Sequence, residues 1–108
     1  MRKIKVIVKR PDEEYGHATN ISDTLKNLQK TVEGYIEVIP IGADTVIICN
    51  EEGKIRNLEP NFRTEGDVIA GTVIIAGVDG EEFCDVPISF GFWKDILRSW
   101  GNRAGEET

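Results

Sequence analysis

Gly34-Tyr35-Ile36-Glu37-Val38-Ile39-Pro40 leads through Gly42-Ala43-Asp44 into Thr45-Val46-Ile47-Ile48-Cys49, and the chain then reverses at Asn50-Glu51-Glu52-Gly53-Lys54. Two β-branched runs on either side of a Gly/Asp turn specify a β-hairpin, because branched side chains pack well on a pleated surface and Gly and Asp suit the turn. The acidic reversal that follows is the one segment whose residues look chosen for polar chemistry more than for packing. Its plainest reading is a hairpin loop with Gly53 in a left-handed position.

Toward the N-terminus, Lys3-Ile4-Lys5-Val6-Ile7-Val8-Lys9 alternates as a half-buried strand does, with Ile4, Val6 and Val8 on one side and Lys3, Lys5 and Lys9 on the other. Such lysines are expected to protect an edge strand from aggregation; the alternative is an anion-binding strip. A turn at Arg10–Glu14 and a short return strand over Tyr15–Asn20 come next. Tyr15 and His17 alternate there and either cover the sheet or stack on a base. A helix follows, with Ser22 as its N-cap, Asp23 in its first turn, Leu25, Leu28 and Val32 on its apolar stripe, and Gly34 as its stop.

Toward the C-terminus, Ile55–Thr64 lacks periodicity, and Pro60 and Asn61 mark a loop. Asp67–Val78 is one long β-rich segment, apolar on both faces in its second half and therefore a central strand, with Gly71 as a bulge or a point of close approach. Asp79-Gly80 is a turn before a short strand in Glu81–Val86. In Ser89–Trp100, Phe92, Ile96 and Trp100 share a helical row beside Trp93 and Leu97, so both tryptophans belong to a wide apolar face that makes core or homodimer contact. This order of elements predicts an α+β fold: a mainly antiparallel, mixed sheet of five to seven strands with two helices. It forms a single domain over residues 1–101, with 102–108 as a frayed polar tail.

Composition narrows function. The 108 residues are 40% hydrophobic and 30% charged, with a net charge of −6. No apolar span long enough for a membrane helix and no signal-peptide pattern is present, so a cytoplasmic protein is expected, without membrane partners. Five bases fall in the first ten residues, leaving 8 bases against 19 acids elsewhere. That acidic body repels nucleic acid. One histidine, His17, excludes a multi-histidine metal centre, and Cys49 and Cys84 each lie in apolar runs as buried thiols. No cofactor is expected.

The residues resemble a family of small proteins known only as a domain of unknown function, found in Firmicutes, their phages and conjugative elements. The resemblance spans about Ile4 to Leu97. It is carried by Thr24-Leu25 with Leu28-Gln29, Val32 with Gly34-Tyr35-Ile36-Glu37, Cys49-Asn50-Glu51-Glu52-Gly53-Lys54, Pro60-Asn61, and Gly66-Asp67-Val68-Ile69-Ala70-Gly71-Thr72. It implies origin in a phage or mobile element, and it brings no activity or catalytic residues.

The candidate ligand-binding residues are Asn50, Glu51, Glu52, Lys54, Asn61 and Arg63. If the loop folds over the sheet, Asn61, Arg63 and Thr72 join Asn50 and Lys54 as donors for phosphate or ribose, Arg63 offering the forked guanidinium suited to phosphate. Glu51 and Glu52 accept from hydroxyls. Being adjacent, they point to opposite sides of an extended segment and do not form an acid/base pair. The expected function is therefore a non-enzymatic binding protein of a phage or mobile element that sequesters a small anionic, nucleotide-type ligand and blunts host defence, as a monomer or a homo-oligomer. One alternative is an inhibitor that docks on a host protein through its acidic surface or its aromatic C-terminal helix; the other is a nucleotide phosphodiesterase.

Overall fold

The computed structural model describes residues 2–102. Its spine is an antiparallel sheet built from β1 (Lys3–Lys9), β2 (His17–Ser22), β3 (Ile36–Pro40), β4 (Thr45–Asn50), β7 (Val73–Asp79) and β8 (Glu82–Cys84). The strand order is β2-β1-β7-β4-β3, and β8 pairs with the end of β7. The remaining strands, β5 (Pro60–Arg63) and β6 (Val68–Ala70), form a separate two-stranded sheet, and the helices are α1 (Leu25–Val32) and α2 (Phe90–Ser99). The fold is α+β. No helix among the described residues is long and apolar enough to cross a membrane.

The central strands β4 and β7 are apolar on both faces because both faces are covered. On one side, Leu28 and Val32 of α1 pack on Ile4, Val6, Val46, Ile48 and Ile74. On the other, Trp93 and Leu97 of α2, with Phe62 and Ile69 of the β5–β6 hairpin, pack on Ile7, Ile47, Val73 and Ile75. A two-stranded hairpin is marginal alone. Burying Phe62 and Ile69, at about 1.5–3 kcal/mol each, is what fixes it to the sheet. Phe62 stands edge-on to Trp93 at 5.7 Å and stacks on Trp100 at 6.1 Å, so both tryptophans belong to this core.

Several local expectations are corrected. The α1 N-cap is Thr24, whose hydroxyl accepts from the Asn27 N–H at 3.2 Å, while Ser22 ends β2 and no acid lies in the first turn. The helix ends through a left-handed Glu33 (φ 65°), not at Gly34. Asp67–Val78 is two strands of different sheets: Gly71, at φ +83° and with a Cβ position only 2.8 Å from Leu58 Cδ1, breaks the run. The Pro60-Asn61 loop is the strand β5. Residues 103–108 of the expected frayed tail lie outside the described residues, and Asn102 is firmly held. Its side chain accepts from Arg63 N–H at 2.9 Å and donates to the Arg63 carbonyl at 2.8 Å.

Nor is β1 an edge strand, since it lies between β2 and β7. Lys3 and Lys5 are exposed, but Lys9 is only 3% exposed. Its ammonium donates to the Glu13 carbonyl at 2.8 Å and to Asn61 Oδ1, and it lies 5.8 Å from the Phe62 ring. Burial pulls its pKa below the ordinary lysine value, against the opposing pull of Glu13 and Asp12.

The free edge on the other side belongs to β3, whose only strand partner among the described residues is β4. Flanking bonds from Ile41 N–H to the Thr45 carbonyl and from Glu51 N–H to the Tyr35 carbonyl set the phase of this ladder. Both backbone groups of one residue point to the same side of an antiparallel strand. Glu37 and Ile39 therefore bond to β4, while Ile36, Val38 and the Pro40 carbonyl face outward. Pro40 fits here because the N–H it lacks would have pointed away from the sheet.

Candidate functional site

After β4 the chain does not open into a hairpin loop. It winds through consecutive turns, with Gly53 N–H bonded to the Asn50 carbonyl, Arg56 N–H to Glu52 and Leu58 N–H to Gly53. Gly53 is not left-handed. It is buried against β6, where a Cβ would come within 2.9 Å of the Ala70 carbonyl oxygen. This close approach brings the bend against the β5–β6 hairpin and encloses a hollow of about 280 Å³.

The hollow is lined by Glu37 and Ile39 of β3, Cys49 of β4, the bend Asn50–Ile55, and Asp67–Ala70 at β6. The turns bring Glu51 and Glu52 to the same concavity, contrary to the extended-chain expectation. Glu52 also lines a second, shallower hollow with Tyr35 and Arg56. Among the described residues Lys54 is the one cation lining the main hollow, and its ammonium pairs with Asp67. The hydrogen bond from Lys54, with a further one from Val68 N–H, holds the Asp67 carboxyl below its ordinary pKa. The lining thus holds four acidic residues and one lysine whose ammonium is already engaged by Asp67. Among the described residues, Glu37, Glu51 and Glu52 have no side-chain hydrogen bond or ion pair.

Asn50 borders the hollow, but its polar atoms are committed elsewhere. It is 5% exposed; Nδ2 donates to the carbonyls of Val32 (3.1 Å) and Glu33 (3.2 Å), and Oδ1 accepts from Glu52 N–H at 2.8 Å. One side chain thus closes the end of α1 and shapes the bend. The proposed convergence of Asn61 and Arg63 on this site does not occur. Asn61 Nδ2 donates to the Lys9 and Gly71 carbonyls, both at 2.8 Å, stitching β5 to β1 and to the break before β7. Arg63 is exposed on β5, its backbone tied to Asn102. Neither residue lines the hollow, and neither does Thr72.

Burial, aided by Glu37, pushes the Cys49 thiol up to about 11, which keeps it protonated and unreactive at neutral pH. Among the described residues no three His, Cys, Asp or Glu side chains gather as a metal site. Tyr15 serves the surface: its ring lies under Lys94 (5.0 Å) and Arg98 (5.3 Å), and its hydroxyl accepts from Arg98. His17 Nδ1 lies 2.7 Å from Glu13.

Sequence reasoning missed Glu37 and Asp67, which approach from a strand and a turn 30 positions apart. The residues carrying the family resemblance do include both, and that was the available signal. No curated protein and no solved structure matches the chain. The model of a family described as a domain of unknown function, DUF3846, matches residues 4–93, and the chain belongs to that family.

Proposed function

We propose that this protein is a non-catalytic binding protein of a phage or mobile element that docks on a host protein, its acidic hollow receiving a cationic side chain of that partner. The carrying observation is the charge of the hollow: Glu37, Glu51, Glu52 and Asp67 against a single, already paired Lys54. Like charge repels an anionic ligand from such a place, and complementary charge steers a basic partner toward it.

The test is retention of host protein from a Firmicutes lysate on the immobilised wild type and on a Glu37→Lys/Asp67→Lys double variant. A partner held by the wild type, released by salt and lost in the variant supports the reading. Equal retention by both overturns it.

Capture of an anionic, nucleotide-type ligand keeps one supporting observation, at a different place. A hollow of about 240 Å³ at the start of α1 is lined by Ser22, Thr24, Lys26, Asn27 and Lys30, with no carboxylate among them. Thermal stabilisation by cyclic nucleotides or cyclic ADP-ribose isomers that disappears in Lys26→Ala/Lys30→Ala favours this second reading. Recovery of the nucleotide intact after heating distinguishes holding from cleavage.

A further inference from the structure

We propose that the partner engages as an extended basic segment that adds to the sheet alongside β3, placing a Lys or Arg in the acidic hollow. This rests on the hollow reading above and specifies its partner. Three observations carry it.

First, the outward edge of β3 offers unused backbone groups. Ile36 and Val38 present N–H and C=O away from β4, Pro40 presents a carbonyl, and no other strand among the described residues pairs with them. An open edge is a template for strand addition, in which main-chain bonds supply affinity and alternating side chains supply selectivity.

Second, the hollow opens beside that edge. Glu37 and Ile39 of β3 line it. Cross-strand neighbours share a face, so residues of an added strand opposite Glu37 and Ile39 stand beside the hollow, and those opposite Val38 lie on the other side of the sheet. The segment that fits alternates basic and apolar residues.

Third, exposed apolar side chains gather at this edge. Of the six large hydrophobic residues exposed among the described residues, Tyr35 (67%) and Val38 (41%) lie on or next to β3, while Ile55 (80%) and Val68 (40%) line the hollow. Together they provide apolar shoulders on both faces of an added strand.

Charge selects the occupant. Pairing of β3 with a second copy would bring two hollows together, each with four carboxylates and one engaged ammonium, in chains that carry −6 each. A basic segment meets the opposite field.

The probe is acetyl-(Lys-Val)3-amide, with acetyl-(Glu-Val)3-amide as control, followed by NMR on the whole protein. The lysine peptide is expected to shift the Ile36 and Val38 amide resonances and to slow their hydrogen exchange about tenfold or more at saturation; the glutamate peptide does neither. N-methylation of the lysine peptide at alternate residues weakens binding about three- to tenfold for each bond lost, without touching the protein. Val38→Pro, which removes an outward N–H and spares the bonds to β4, does the same. If Glu37→Lys abolishes binding while N-methylation and Val38→Pro leave it unchanged, strand addition is overturned and the hollow reading stands. If neither charge nor backbone changes alter binding, both fall. Slow exchange at Val38 in peptide-free protein that sediments as a dimer also overturns the proposal, because a second copy then occupies the edge.

Discussion

At the junction of Lys9 and Asn61, buried polar atoms are tied to the neighbouring chain: the ammonium to the Glu13 carbonyl and Asn61 Oδ1, the amide to the Lys9 and Gly71 carbonyls. On the same side of the sheet, around the hollow, Glu37, Glu51 and Glu52 carry charge with no bonded partner among the described residues. The first cluster spends its hydrogen bonds on the fold and the second leaves them unspent. Polar residues that look alike in sequence therefore separate into architecture and contact surface according to where their bonds go.

The widest gap should appear in stability. Asn61→Ala removes two donors and strips an acceptor from a buried ammonium, so urea unfolding should show a loss of about 2–4 kcal/mol. Glu51→Gln at the hollow should stay within about 0.5 kcal/mol. Equal effects would erase the distinction. Asn50→Ala sharpens it, because Asn50 borders the hollow yet bonds like a junction residue. We expect a loss of about 1–3 kcal/mol, measured the same way. A binding defect at unchanged stability would return Asn50 to the ligand group.

Capping is a smaller probe of the same logic. Thr24→Ala should cost about 1 kcal/mol, since it removes the acceptor for the Asn27 N–H. The buried Ser22 hydroxyl has no hydrogen-bond partner among the described residues, and Ser22→Ala should be neutral or slightly stabilising.

The smallest effects are pH-dependent. Burial raises the Glu13 pKa, but the Arg10 N–H bond and His17 outweigh this and leave it below the ordinary carboxylate value. A carboxyl depressed in the fold contributes stability above its unfolded pKa and loses it as pH falls through the folded one. Wild-type stability should therefore fall more steeply than that of Glu13→Gln on acidification below the ordinary carboxylate range. Lys9 runs the other way: a base depressed by burial binds its proton less well in the fold, so stability rises as pH climbs from the folded toward the unfolded lysine value. Lys9→Met should lack that rise in alkaline urea titrations.

Much of the fold was legible because its signals are local. The alternation of β1, the β3–β4 hairpin, the doubly apolar β7 and the stripe of α2 each lie within one element. β5 escaped notice because only Phe62 of its four residues is buried, too little for a period. The break at Gly71 was hidden between two runs that are both apolar. Lys9 follows the alternation of an exposed face, and its burial comes from a hairpin some 50 residues later that sequence does not place. At the site, the bend and Lys54 could be read directly. The negative character of the hollow could not, because Glu37 and Asp67 join it only through the fold.

Strand β1 pairs with β7 at Ile7 and Ile75, 68 positions apart. A growing chain can form the β1–β2 and β3–β4 hairpins early, but the middle of the sheet has to wait for β7 to be synthesised, and contacts this distant make folding slow. Until then the apolar edges of β1 and β4 stay open on the nascent chain. Translation that stalls before residue 73 would leave a fragment prone to clump, while release after β7 gives a chain able to close both seams at once.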